Sequence, residues 1–144
     1  MFKRLLAPRL VVRAHCDVPC GIYDPSTAKI AADTVAKMVE KIVGFEKEIT
    51  AAPGVSQINA RNNLVRSIQV KEEHAERVKH EILILWGDYF KPEHLAKHPT
   101  LHDTVWKAVK LASKNKQNVD AAAATELQAA VKTISDIFWD TKKA

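Results

Sequence analysis

Only two cysteines occur in the 144 residues, Cys16 and Cys20, and they lie in one short stretch. A four-ligand zinc site needs a second Cys or His pair, and none sits at suitable spacing. A redox dithiol is ordinarily spaced C-x-x-C, not C-x-x-x-C. No apolar run approaches the roughly 18 residues of a membrane span, so no membrane partner is expected. β-type alternation and hairpin dipeptides are missing, as are internal repeats and low-complexity tracts, except for Ala121–Ala124, a strong helix start. Acidic residues are missing from the first fourteen positions, which carry Lys3, Arg4, Arg9 and Arg13. Those four account for most of the formal charge of +5. The remainder is near neutral, which argues against nucleic acid as a partner.

What is present reads as helix. Apolar residues recur at three- and four-residue spacing. The first run holds Ile30, Val35, Met38, Val39, Ile42, Val43 and Phe45, with Ser26 and Thr27 as candidate caps. Ala51-Ala52-Pro53-Gly54 breaks it. A long second run from Ser56 to about Gly87 carries Ile58, Leu64, Val65, Ile68, Ala75, Val78, Ile82 and Leu85. A third follows Pro99 with Leu101, Val105, Ala108, Val109 and Ala112, and a fourth carries Leu127, Val131, Ile134 and Phe138. The expected fold is all-α, an antiparallel four-helix bundle in one domain, with an irregular N-terminal hook.

That hook, His15-Cys16-Asp17-Val18-Pro19-Cys20-Gly21-Ile22-Tyr23-Asp24-Pro25, concentrates soft and titratable ligands in a turn-rich segment. The two cysteines suit a disulfide, half a zinc site, or a complete site for another metal. If the chain begins at His15, that residue offers an amine and an imidazole. Cys16 then adds an amide nitrogen and a thiolate, and Cys20 a second thiolate. Such a tetragonal N₂S₂ set favours Ni(II) over a copper ion that thiolates would reduce. Residues 1–14 end in Ala14, and Pro8-Arg9 divides their apolar residues, which fits a transit peptide or a removable pro-segment better than a secretory signal.

H-C-D-V-P-C-G-I-Y-D-P resembles the metal hook of the nickel superoxide dismutase family. The similarity extends to Trp86-Gly87-Asp88-Tyr89-Phe90-Lys91-Pro92 and to the closing Ile137-Phe138-Trp139-Asp140-Thr141-Lys142-Lys143. The resemblance implies disproportionation of superoxide to dioxygen and hydrogen peroxide through a Ni(II)/Ni(III) cycle, with one nickel ion per subunit of a homohexamer. It also implies removal of residues 1–14 by a processing peptidase, leaving 15–144 as hook (15–25) plus bundle. His15, Cys16 and Cys20 are the implied metal ligands. Tyr23 and Tyr89 match the tyrosines that guard the site, and Asp17 matches the residue that tethers the hook. Lys91 is a candidate for steering a small anion. A cytoplasmic location is expected, because nickel thiolates need reduced cysteines.

In one respect the chain departs from that family. Better-known members hold the axial imidazole with an acidic residue in the first helix and an arginine in the second; here those positions read Ala31 and His74. His74 is the candidate replacement partner for His15. His94, His98 and His102 recur at four-residue offsets, but Pro99 interrupts their helical register and no carboxylate or cysteine joins them. The three tryptophans read as core or subunit-interface residues. Two further classes remain open at this stage: a non-catalytic nickel or copper carrier, and a structural bundle with a disulfide.

Overall fold

In the computed structural model, which describes residues 21–51 and 56–143, apolar spacing becomes five α-helices and one π-helical turn. The α-helices are α1 (Ser26–Ala51), α2 (Ser56–Ile84), α3 (Pro92–Lys97), α4 (Leu101–Gln117) and α5 (Ala121–Lys142). No strand occurs among the described residues. The four long helices form a closed ring, with α1 against α2 and α5, and α4 against α2 and α5. This is the expected bundle.

The core is a seam of small and branched residues. On α1 it takes Ala28, Ala31, Ala32, Val35, Val39 and Ile42. On α2 it takes Ala75, Val78 and Ile82, on α4 Leu101, Val105, Ala108 and Ala112. On α5 Ala124, Leu127, Val131, Ile134 and Phe138 complete it. Burying such side chains stabilises by about 1.5–3 kcal/mol each for the larger ones. Ile30, Ile58 and Val65, expected on the buried faces, are instead exposed at 65%, 66% and 64%. The first turns of α1 bury alanines in place of Ile30. On α2, Lys71 already meets the last turn of α4, so Ile58 and Val65 lie on a part of the helix that has run past α4.

The start of α1 is also built differently from the Ser26 or Thr27 cap expected. The Ser26 N–H donates to the Asp24 carboxylate at 2.6 Å, so Asp24 caps the helix across Pro25. At the other end of the second run, α2 widens into the π-helical turn Leu85–Tyr89, where the Phe90 N–H donates to Leu85 O at 3.0 Å. One extra residue per turn shifts the register there, a device that recurs at functional sites. Pro92 then opens α3, and Leu101 opens α4.

Candidate functional site

The described chain begins at Gly21, whose φ of +78° suits a residue without a Cβ. Two residues later Tyr23 is nine-tenths buried, with its ring 5.6 Å from that of Tyr89 on the π-helical turn. Sequence reasoning named both tyrosines, and the fold brings them together. Around Tyr89 stand Phe138 at 4.4 Å, Phe90 at 5.2 Å and His94, stacked at 5.6 Å. These ring pairs hold the phenols by shape as well as by area.

The last turn of α5 closes the cluster. The Tyr89 hydroxyl lies 2.8 Å from Thr141 Oγ1, and Thr141 Oγ1 donates to Phe138 O at 2.7 Å. Lys142 Nζ donates to Tyr23 O at 3.2 Å and sits over the rings of Phe138 and Trp139 at 5.0 and 5.7 Å. Hydrogen bonds from the Ser26 hydroxyl and N–H hold the Asp24 carboxyl below its usual range, with Lys142 and Lys29 adding attraction. On the outer side, Asp140 Oδ2 accepts from Lys97 at 2.8 Å and His98 at 2.9 Å, tying α3 to α5. Thr141 and Lys142 were not singled out from the sequence. Their only signal was membership in the closing Ile137–Lys143 segment.

Other candidates scatter. The Lys91 side chain is exposed, while the Lys91 main-chain N–H donates to His94 Nδ1 at 3.2 Å and so orients the ring stacked on Tyr89. His102 packs against Trp86 at 5.1 Å, so the three spaced histidines have three separate surroundings. Trp86 is half-buried, whereas Trp106 and Trp139 are 58% and 42% exposed. His74 Nδ1 lies 2.9 Å from Val70 O. A carbonyl has no proton, so Nδ1 carries the hydrogen and Nε2 of the neutral ring is an acceptor. Ala31 is a core residue at 1% exposure.

His15, Cys16, Asp17 and Cys20 lie outside the described residues, as does the pro-segment 1–14. Among the described residues no cluster of three or more His, Cys, Asp or Glu side chains could hold a metal ion. No helix among them is long and apolar enough to cross a membrane.

The all-helical bundle, with Tyr23 three residues past Cys20 in the sequence and packed on Tyr89, is that of a metal-dependent oxidoreductase by its likeness to known proteins. The family profile of nickel-containing superoxide dismutase matches residues 10–142. The chain is 39% identical over 144 residues to "Superoxide dismutase [Ni]" of Streptomyces coelicolor, and 40% identical over 147 residues to that of Streptomyces seoulensis; each match spans 100% of both chains. A crystal structure of nickel-containing superoxide dismutase in the oxidized state aligns with TM-score 0.71 at 38% identity, covering 90% of this chain and 100% of that one. The chain belongs to the nickel-containing superoxide dismutase family. It is an oxidoreductase that converts superoxide to dioxygen and hydrogen peroxide, with nickel as its metal.

Proposed function

We propose that catalysis resides in the hook, with His15, Cys16 and Cys20 as nickel ligands once residues 1–14 have been removed by a peptidase. Two thiolates and a histidine-led set of nitrogens fit nickel by their softness and tetragonal arrangement. Bound there, nickel supplies a one-electron Ni(II)/Ni(III) couple, consistent with the net reaction of two superoxide ions and two protons to dioxygen and hydrogen peroxide. A His15 still joined to Ala14 has a peptide nitrogen in place of an amine, and that donor is lost.

One observation carries the placement. Tyr23, three residues past Cys20, stands 5.6 Å ring to ring from Tyr89. Two phenols held by Phe138, His94 and the end of α5 form a fixed wall beside the hook's exit. They restrict approach to a small anion and order water there. Asp17 tethers the hook, and Lys91 adds positive charge on the exposed side. His74, with an acceptor Nε2, is the partner of the His15 imidazole. Assembly is a homohexamer in the cytoplasm, where the thiols stay reduced.

Two forms of the chain test this, one starting at Met1 and one at His15, each given nickel under reducing conditions. The expected result is about one nickel per chain and superoxide turnover in the His15 form alone, by analogy with a closed donor set. Nickel binding by both with turnover by neither overturns the catalytic reading in favour of a carrier. For His74, equal turnover and equal nickel(III) spectra in His74→Ala and the parent remove it from the site.

A further inference from the structure

The two phenols of the wall are not equivalent. Thr141 has a single hydroxyl proton, and it goes to Phe138 O, which can only accept. In the 2.8 Å contact between Thr141 Oγ1 and the Tyr89 hydroxyl, Tyr89 is therefore the donor. Its one proton is directed into the end of α5. The Tyr23 residue is buried at 9% exposure, and its hydroxyl makes no hydrogen bond to a described residue. Its main chain, by contrast, is pinned by Lys142.

We propose that Thr141 is a positioning residue that commits the Tyr89 proton to the protein, leaving Tyr89 only as an acceptor for other groups and Tyr23 as the tyrosine able to donate to a bound anion. This rests on the reading that the tyrosine pair flanks the approach of superoxide. Making hydrogen peroxide from superoxide takes one electron and two protons, and the Tyr89 proton serves as neither of them. Those protons arrive through Tyr23 or water. The other groups around Tyr89 do not displace Thr141. His94 stacks on the ring face with Nδ1 already accepting from Lys91, Lys142 donates to Tyr23 O, and Phe90 and Phe138 have no polar atom in their rings. The arrangement keeps a lone pair, rather than a proton, beside the anion path at Tyr89, which disfavours tight anion binding there.

The chain contains only two tyrosines, so a Tyr23→Phe protein reports Tyr89 alone. The Raman doublet of tyrosine separates a phenol that donates from one that only accepts, and it can be read on metal-free protein. The expected spectrum of Tyr23→Phe is that of a donating phenol, retained with Thr141→Ser and lost with Thr141→Val. An accepting spectrum in Tyr23→Phe, or no change on adding Thr141→Val, overturns the proposal. Should the valine variant not fold, as judged by circular dichroism, the spectra of Tyr23→Phe with and without Thr141→Ser decide between a donating and an accepting Tyr89.

A second readout uses azide as the anion probe on the processed, nickel-loaded enzyme. Freed from Thr141, the Tyr89 proton can turn to an anion in a charge-assisted bond, so azide inhibits Thr141→Val roughly tenfold more strongly than the parent. Thr141→Ser keeps the parent's azide sensitivity. Equal inhibition of the valine variant and the parent overturns the proposal. The Raman result does not depend on superoxide. A donating Tyr89 in a protein whose Tyr23→Phe and Tyr89→Phe variants turn over normally sinks the tyrosine-wall reading while leaving the hydrogen-bond direction intact.

Discussion

At one end of the four-helix body Lys71 donates to main-chain carbonyls of a neighbouring element, and at the other Lys142 does the same. Lys71 leaves α2 and is 1% exposed, with its ammonium donating to the carbonyls of Asn115, Lys116 (2.8 Å) and Asn118 (3.0 Å). Those oxygens belong to the last turn of α4 and the residue that caps it, where a helix has unsatisfied acceptors and partial negative charge. Burial pushes the Lys71 ammonium down from its usual range while the Glu72 charge pulls the other way, and the three carbonyl acceptors satisfy the ammonium's protons. Lys142 is exposed and makes one longer bond, 3.2 Å, to Tyr23 O, with Phe138 and Trp139 beneath it. The difference separates a fixed joint from an adjustable one. The α4–α5 turn is locked by a cation saturated with partners, whereas the Lys142 tie between α5 and the Tyr23 main chain is a contact that water can replace.

Removing the fixed joint has the largest expected effect on stability. Lys71→Met keeps most of the aliphatic stem and strips one buried and two part-buried carbonyls of their donor, and leaving such groups unsatisfied costs about 3 kcal/mol. Urea unfolding followed by circular dichroism measures it. A loss below about 1 kcal/mol means that water reaches those carbonyls and the lysine is not a lock.

Lys142→Met is the matching change at the adjustable end, and its expected pattern is the reverse. The exposed contact contributes little to stability, so the unfolding midpoint moves by less than about 1 kcal/mol. Turnover falls several-fold at low salt, because one cation near the tyrosine pair is gone and Tyr23 loses its main-chain anchor. The deficit shrinks as ionic strength rises, since screening weakens the contribution that the parent retains. A stability loss as large as that of Lys71→Met would erase the distinction between the two ends.

The bundle was legible in the sequence because three- and four-residue spacing translates directly into a buried helical stripe. Periodicity does not say how far a neighbouring helix extends, which is why Ile58 and Val65 were placed on a buried face beyond the end of α4. Nor does it favour small residues: at the start of α1 the core takes Ala28, Ala31 and Ala32, and Ile30 faces outward. The six residues of α3 are too few to establish a period, and the π-helical turn is a register shift that no spacing rule marks. Tyr23 and Tyr89 were visible because each sits in a segment that resembles a known family. Thr141 and Lys142 act over separations of 52 and 119 residues, and only the fold reveals their partners.

The smallest expected effect concerns the outer tie at the tyrosine end. The Asp140 carboxyl is held below its usual range, first by the hydrogen bond from Lys97 and further by His98, against a modest desolvation. A carboxyl lowered in the folded state stabilises fully above the ordinary carboxylate range, and that contribution disappears as pH falls through the lower folded value. Because Asp140 is exposed to solvent and precedes Thr141, its protonation loosens α3 from α5 without unfolding the bundle. Asp140→Asn should therefore be slightly less stable than the parent near about pH 6, with the gap closing near about pH 3. Paired urea unfolding curves at those two pH values measure it, and a gap that stays constant between them rules out the ionised carboxylate as its source.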